Sequence, residues 1–315
     1  MIEKILFIIG GLVLFIYGIN LLSFNLTKIN KNKINFLINI AKKNKLSSII
    51  IGVLITTIFQ SSSAVSVILI AFIASELLDL KSACFILMGA NLGSTLTTFI
   101  ISLDISKYYM LIIIIGCLFL IKEKKVSLGN ILFGLGIFFL GLSFVSDTIC
   151  SLILNSSFNI KFGNNIFVDF LISVFFTSII QSSAASLKIL QDFCSFSYLS
   201  NKTMLVFVMG ANIGSTLTGI LASIKSSKEA KKLAAFNFCF NLSTALFIFI
   251  FFKFVSSKTE DVINYFSFSS TNTITFLHFV FNLLGILIWT AFNAIFCIKK
   301  KINSNKINNK RNLII

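Results

Sequence analysis

Twice in this chain a glutamine followed by serines interrupts a long apolar run. Residues 60–64 read QSSSA and residues 181–185 read QSSAA. The first gathers Gln60, Ser61, Ser62 and Ser63; the second gathers Gln181, Ser182 and Ser183. Hydroxyls and amides of this kind donate hydrogen bonds without carrying charge. If a helix starts at each knot, its free backbone N–H groups and its dipole also favour an anion. A second pair follows: MGANLGSTLT at 88–97 and MGANIGSTLT at 209–218. It supplies Asn91, Ser94 and Thr95, then Asn212, Ser215 and Thr216. Hydroxyls beside glycine-loosened backbone and unwound carbonyls suit a hard cation such as sodium. Donor-rich knots with carbonyl-rich breaks point to an oxyanion moved together with a cation. Few carboxylates lie in the apolar segments, so a proton relay of Asp/Glu type has little to work with.

The elements that must position these groups follow from composition. The chain has 315 residues, 56% of them hydrophobic and only 12% charged, with no proline and 37 phenylalanines. Its mean hydropathy is +0.95. A soluble domain cannot hide that much apolar surface, and a transmembrane barrel needs an alternating pattern that is missing here. The expected fold is an all-α polytopic membrane protein whose main partner is the lipid bilayer. The first apolar segment, 5–26, lacks a small-residue cleavage site and reads as a retained span. The net charge of +16 is not a nucleic-acid footprint, because the lysines sit in loops rather than along one helical face. They cluster at 28–45, 122–125, 225–232 and 299–311, where Arg311 is the only arginine. Short lysine-rich loops mark the cytoplasmic side of a cell membrane.

With those clusters inside, about seven segments span: 5–26, 82–101, 107–121, 128–146, 203–224, 233–255 and 274–298. With 256–273 left as an outer loop, segments 46–75 and 166–200 must each leave and return on one side. Their arms are about a dozen residues, short of the roughly 20 that cross a bilayer. Each is therefore a re-entrant hairpin with a QSS knot at its turn.

The two halves are copies. Gln181 follows Gln60 by 121 residues, and the two MGAN motifs are also 121 apart. Upstream, GLVLFIYG at 11–18 matches GLGIFFLG at 134–141. The loop 28–45 carries six lysines, whereas its counterpart 147–165 carries only Lys161, so the copies have opposite orientation. Inverted repeats with re-entrant hairpins and broken helices are a transporter architecture, with the substrate site near the midplane. The expected organisation is a first repeat at 1–122, a second at 126–255, an extra C-terminal transmembrane region at 256–298 and a disordered basic cytoplasmic tail at 299–315.

On these motifs the chain resembles the type II sodium–phosphate cotransporter family. Its members carry two inverted QSSSA hairpins, each followed by a GANIGTT stretch, and an H-x-x-F-N element after each copy. Here HFVFN at 278–282 fits that element, and NFCFN at 237–241 fits it with asparagine in place of histidine. The resemblance covers roughly residues 10–290. It implies sodium-driven import of inorganic phosphate, with no cofactor beyond sodium as coupling ion and no fixed metal. It implies that Gln60, Ser61, Ser62, Ser63, Gln181, Ser182 and Ser183 contact phosphate or sodium. Asn91, Ser94, Thr95, Asn212, Ser215 and Thr216 then support the site or bind sodium. Many bacterial members carry a C-terminal regulatory domain, and none is expected here.

The chain departs from the pattern at two places. Ala184 stands where the first copy has Ser63, and Lys188 stands where it has Val67. Lys188 either snorkels to the outer interface or acts as a modulator, standing in for a coupling cation or drawing in phosphate. His278 reads as a packing or hydrogen-bonding residue. The six scattered cysteines read as small packing residues. Three other readings remain: a symporter for another small anion, a regulatory membrane protein, and an intramembrane serine hydrolase. The hydrolase reading lacks a G-x-S-x-G motif and has one histidine for two serine knots.

Overall fold

The computed structural model describes residues 2–27, 38–102, 108–121, 126–155, 162–196 and 199–312. Every regular element among them is a helix. The first half holds α1 (Ile2–Thr27), α2 (Lys45–Phe59), α3 (Ser62–Ala74), α4 (Leu80–Ser102) and α5 (Tyr109–Leu120). The second holds α6 (Val126–Asn155), α7 (Ile166–Ile180), α8 (Ser183–Phe196), α9 (Asn201–Gly214), α10 (Leu217–Ser223) and α11 (Lys228–Ile250). Then come α12 (Phe252–Tyr265) and α13 (Ser270–Asn312). Among the described residues, five segments are long and apolar enough to cross a membrane: 80–100, 126–148, 201–223, 228–250 and 270–292. The chain is a multi-pass membrane protein.

The hairpins are built alike. The arms α2 and α3 have 15 and 13 residues, and α7 and α8 have 15 and 14. At 1.5 Å per residue each arm is about 20 Å long, too short to cross the roughly 30 Å core. Both first arms begin on an asparagine cap. Asn44 Oδ1 accepts from Ser47 N at 2.7 Å, and Asn165 Oδ1 accepts from Phe167 N and Val168 N. Asn165 follows Asn44 by 121 residues.

The inversion is written in the glycines of α1 and α6. A Cβ on Gly11 would lie 2.8 Å from the Gly141 carbonyl, and one on Gly18 would lie 2.6 Å from the Gly134 carbonyl. Low-numbered residues of one helix meet high-numbered residues of the other, so the helices cross antiparallel. The repeat maps Gly11 onto Gly134 and Gly18 onto Gly141, so it turns one contact into the other. That is the signature of an internal two-fold axis.

Three expectations are corrected. Segment 256–273 is not an outer loop: 252–265 is the helix α12. It buries Val255, Ser256, Thr259 and Ile263 while exposing Phe254 and Tyr265, the pattern of a helix lying along a surface. The basic segment is not disordered, because α13 runs on through it to Asn312. Lysine, isoleucine and asparagine there are ordinary helix residues with no glycine or proline to stop them. Finally, α4 passes unbroken through GANLGST, whereas the second copy breaks at Ser215 and Thr216, between α9 and α10.

The spans α4 and α9–α10 are the most buried of the five. They form the centre, and both hairpins lean on them.

Candidate functional site: two hairpin tips and a buried amide network

Each tip turns on its glutamine. Gln60 has φ +53° and Gln181 has φ +59°, the left-handed region that costs an L-residue about 1–2 kcal/mol. The next residue is a helix N-cap. Ser61 Oγ accepts from Ala64 N at 3.1 Å, and Ser182 Oγ accepts from Ala185 N at 3.3 Å. With its oxygen occupied as an acceptor, each cap hydroxyl keeps its hydrogen to donate outward. Each tip therefore sets the carbonyl end of one helix beside the N–H end of the next. The first favours a cation and the second an anion.

The two tips touch. Ser63 Oγ donates to the Gln181 carbonyl at 2.7 Å and reaches the Ser215 carbonyl at 3.4 Å. Thr218 Oγ1 lies 3.5 Å from Gln181 Oε1. Ser61, Ser62, Ser63, Ser182 and Ser183 are all buried, Gln60 is half-buried and Gln181 is exposed. The reciprocal bond is missing, because the equivalent of Ser63 is Ala184.

The GAN residues lie just beneath. Ser94 donates to the Asn91 carbonyl at 2.6 Å, and Ser215 donates to that of Asn212 at 2.9 Å. Thr95 donates to the Leu92 carbonyl and Thr216 to that of Ile213. With those hydrogens used inside the helix, the four hydroxyl oxygens have only acceptor capacity left. That is the chemistry of a sodium ligand, not of an anion ligand. Among the described residues no cluster of three His, Cys, Asp or Glu could hold a metal. A cation here meets neutral oxygens.

Sequence reading missed several members. Thr56 and Thr177 sit one turn before the tip glutamines, fully buried, and neither Oγ1 has a hydrogen-bond partner. Both press against the GAN helices: a Cβ on Gly93 or Gly214 would lie 2.9 Å from the Cβ of Thr56 or Thr177. The 121-residue offset links them and could have found them. His278 is a hydrogen-bonding residue, one of the two roles its sequence context offered. Its Nε2 lies 3.1 Å from Asn212 Oδ1 and 3.4 Å from Ser94 Oγ, and its Nδ1 lies 3.0 Å from Thr98 Oγ1. It ties α4, α9 and α13 together at one point. Asn237 has the matching place in the other half, accepting from Asn91 Nδ2 at 3.1 Å.

Lys188 does not snorkel into solvent. It is buried, and its ammonium meets Asp192 at 2.7 Å, four residues on along α8. Asp192 also accepts from Ser146 Oγ of α6 at 2.6 Å.

The Na+/Pi-cotransporter family model matches residues 14–147 and again residues 156–268. The chain is 24% identical over 294 residues to a protein of Escherichia coli strain K12 named putative inorganic phosphate export protein YjbB. That match covers 91% of this chain and 53% of the relative, so the chain spans about half the relative's length. It is 26% identical over 290 residues to YqeW of Bacillus subtilis, an uncharacterised protein, covering 90% of this chain and 93% of that one. It is 32% identical over 102 residues to the rat sodium-dependent phosphate transport protein 2A, covering 32% of this chain and 16% of that one. No solved structure matches. With both hairpins inside the two matched segments, the chain belongs to the Na+/Pi-cotransporter family.

Proposed function

We propose that this protein is a sodium-coupled symporter that brings inorganic phosphate into the cell by alternating access. The observation that carries the reading is the meeting of the two tips. Each presents helix N–H groups and serine hydroxyls to an anion, with helix-end carbonyls alongside for a cation. Gln60, Ser61, Ser62, Ser63, Gln181, Ser182 and Ser183 hold phosphate or sodium. Asn91, Ser94, Thr95, Asn212, Ser215 and Thr216 line the sodium side or support it, and the Thr56 and Thr177 hydroxyls join them. Sodium binds first: its charge draws the tip carbonyls together and lets phosphate settle on the N–H ends. Lys188 acts as a modulator through its pair with Asp192. The lysine-rich loops face the cytoplasm of a plasma-membrane protein, and the repeats at 1–122 and 126–255 rock against each other.

The test is radiolabelled phosphate uptake into proteoliposomes with and without an inward sodium gradient, for the wild type, Gln60→Ala and Ser61→Ala. Uptake should need sodium and fall at least about tenfold in both variants, the rate equivalent of roughly 1.4 kcal/mol. Equal uptake in choline medium would refute the coupling. The name of the E. coli relative favours a second reading, export. A symporter runs in whichever direction its summed gradients dictate. Sodium-driven efflux from preloaded vesicles that exceeds influx under the mirror-image gradient would select export.

A further inference from the structure

The two GAN asparagines are equivalent by sequence but oppositely used. In the second half Asn212 Nδ2 donates to the Val208 carbonyl at 2.8 Å, which turns Oδ1 toward His278 Nε2 at 3.1 Å. An amide oxygen only accepts, so Nε2 must carry a proton and donate it. At Asn91 the order is reversed. Asn241 Nδ2 donates to the Asn237 backbone carbonyl at 3.0 Å and lies 3.3 Å from Asn237 Oδ1. That fixes Asn237 Oδ1 as an acceptor, so Asn91 turns its Nδ2 toward it at 3.1 Å. Asn91 Oδ1 is left with no hydrogen-bond donor among the described residues.

We propose that the His278 Nε2–H occupies, at Asn212, the coordination place that a coupling cation takes at Asn91, so that the asparagine cation site exists in the first half alone. The inference rests on the symporter reading above and refines its ion stoichiometry. An N–H directed at an amide oxygen presents the positive end of a dipole, as a bound cation presents a charge; the oxygen has a second lone pair, but an imidazole seated 3.1 Å away blocks one approach and repels a cation from the other. The scaffold supports the assignment, because it is the same on both sides. Asn282 Nδ2 donates to the His278 carbonyl at 3.0 Å, as Asn241 does to that of Asn237. The head of the element differs, histidine at 278 against asparagine at 237, and so does the third position, Val280 against Cys239. His278 is thus a positioning residue that sets how many cations the pair of motifs can bind.

The experiment measures sodium and phosphate fluxes together in proteoliposomes, with 22Na+ and radiolabelled phosphate, for the wild type, Asn91→Ala, Asn212→Ala and His278→Asn. Asn91→Ala should raise the sodium concentration for half-maximal uptake by about tenfold or more, and Asn212→Ala by less than about threefold. His278→Asn, which copies the first half's arrangement, should raise the sodium-to-phosphate ratio by about one. Loss of packing alone changes rates but not that ratio. Equal sodium shifts for Asn91→Ala and Asn212→Ala would overturn the inference, as would an unchanged ratio in a folded His278→Asn protein. If His278→Asn does not fold, the two alanine variants decide the matter. Wild-type uptake indifferent to sodium would instead overturn the symporter reading itself.

Discussion

The first half holds its GAN motif in one continuous helix; the second half holds the same motif across a break. Their sequences differ by a few side chains. In α4 the Thr98 hydroxyl, of the same helix, lies 3.0 Å from the Ser94 carbonyl and 3.0 Å from His278 Nδ1. In the second half the position of Thr98 is Gly219, which has no hydroxyl to offer. There the Ser215 carbonyl is reached by Ser63 from the opposite tip, and the Gly214 carbonyl is reached by Ser178 of α7 at 3.5 Å. At the break both carbonyls thus meet hydroxyls from other helices, whereas in the continuous copy the nearby hydroxyl belongs to the same helix. The duplication supplies the architecture, and the copies differ in single side chains such as Thr98 against Gly219. The same asymmetry sits at the tips, where Ser63 spans the gap and Ala184 does not.

Where the halves are equivalent, matched substitutions should act alike. Leucine at Gly18 or at its mate Gly141 would drive a side chain into the backbone of the facing helix, 2.4–2.6 Å away. Each should cost about 3 kcal/mol or more, read as a lower heat-denaturation temperature in detergent. Leucine at Gly10, whose Cβ would meet nothing within 4 Å, should leave the temperature near wild type. A large difference between Gly18→Leu and Gly141→Leu would break the two-fold description.

Where the halves differ, only one should respond. Asp192→Asn removes the carboxylate that the buried Lys188 ammonium meets at 2.7 Å. Removing one partner of a buried pair costs about 3–5 kcal/mol, and the loss should fall toward or below that lower bound because Asp192 is 31% exposed. Adding Lys188→Met to Asp192→Asn should recover most of the loss. Asparagine at the equivalent Ala71 should change little, since that residue is exposed and faces no lysine. If the single and double variants melt together, the pair contributes nothing.

The smallest effect sharpens the comparison most. Ala184→Ser restores the hydroxyl that the second tip lacks and should create a second bond between the tips. Stability should rise by about 0.5–1.5 kcal/mol, with slower phosphate uptake as the tips part less readily. Faster uptake would mean that tip contact is not a barrier.

Much of this arrangement was legible in the residues. The hairpins followed from polar knots flanked by arms too short to span, and the pairing of halves followed from one constant offset. The α12 surface helix was not legible, because its alternation of charge and aromatic residues also fits an outer loop. The fate of Lys188 was half-legible: Asp192 is four residues on, at helical spacing, but Ser146 is 46 residues away in sequence. Thr56 and Thr177 looked like ordinary arm residues until burial left both hydroxyls unpartnered.

Residue types and their spacing were enough to establish that the chain lives in a membrane, that it is a duplicated and inverted transporter fold, and where its two tips lie. Those properties rest on hydrophobicity, charge asymmetry and spacing, which are summed along the chain and tolerate local error. It took the packed helices to show that Ser63 bridges to Gln181 where Ala184 has no hydroxyl to do so, that α4 stays whole, and that His278 meets the oxygen of Asn212. Those depend on which single donor comes within about 3 Å of which acceptor, a distance set by the packing of helices far apart in sequence.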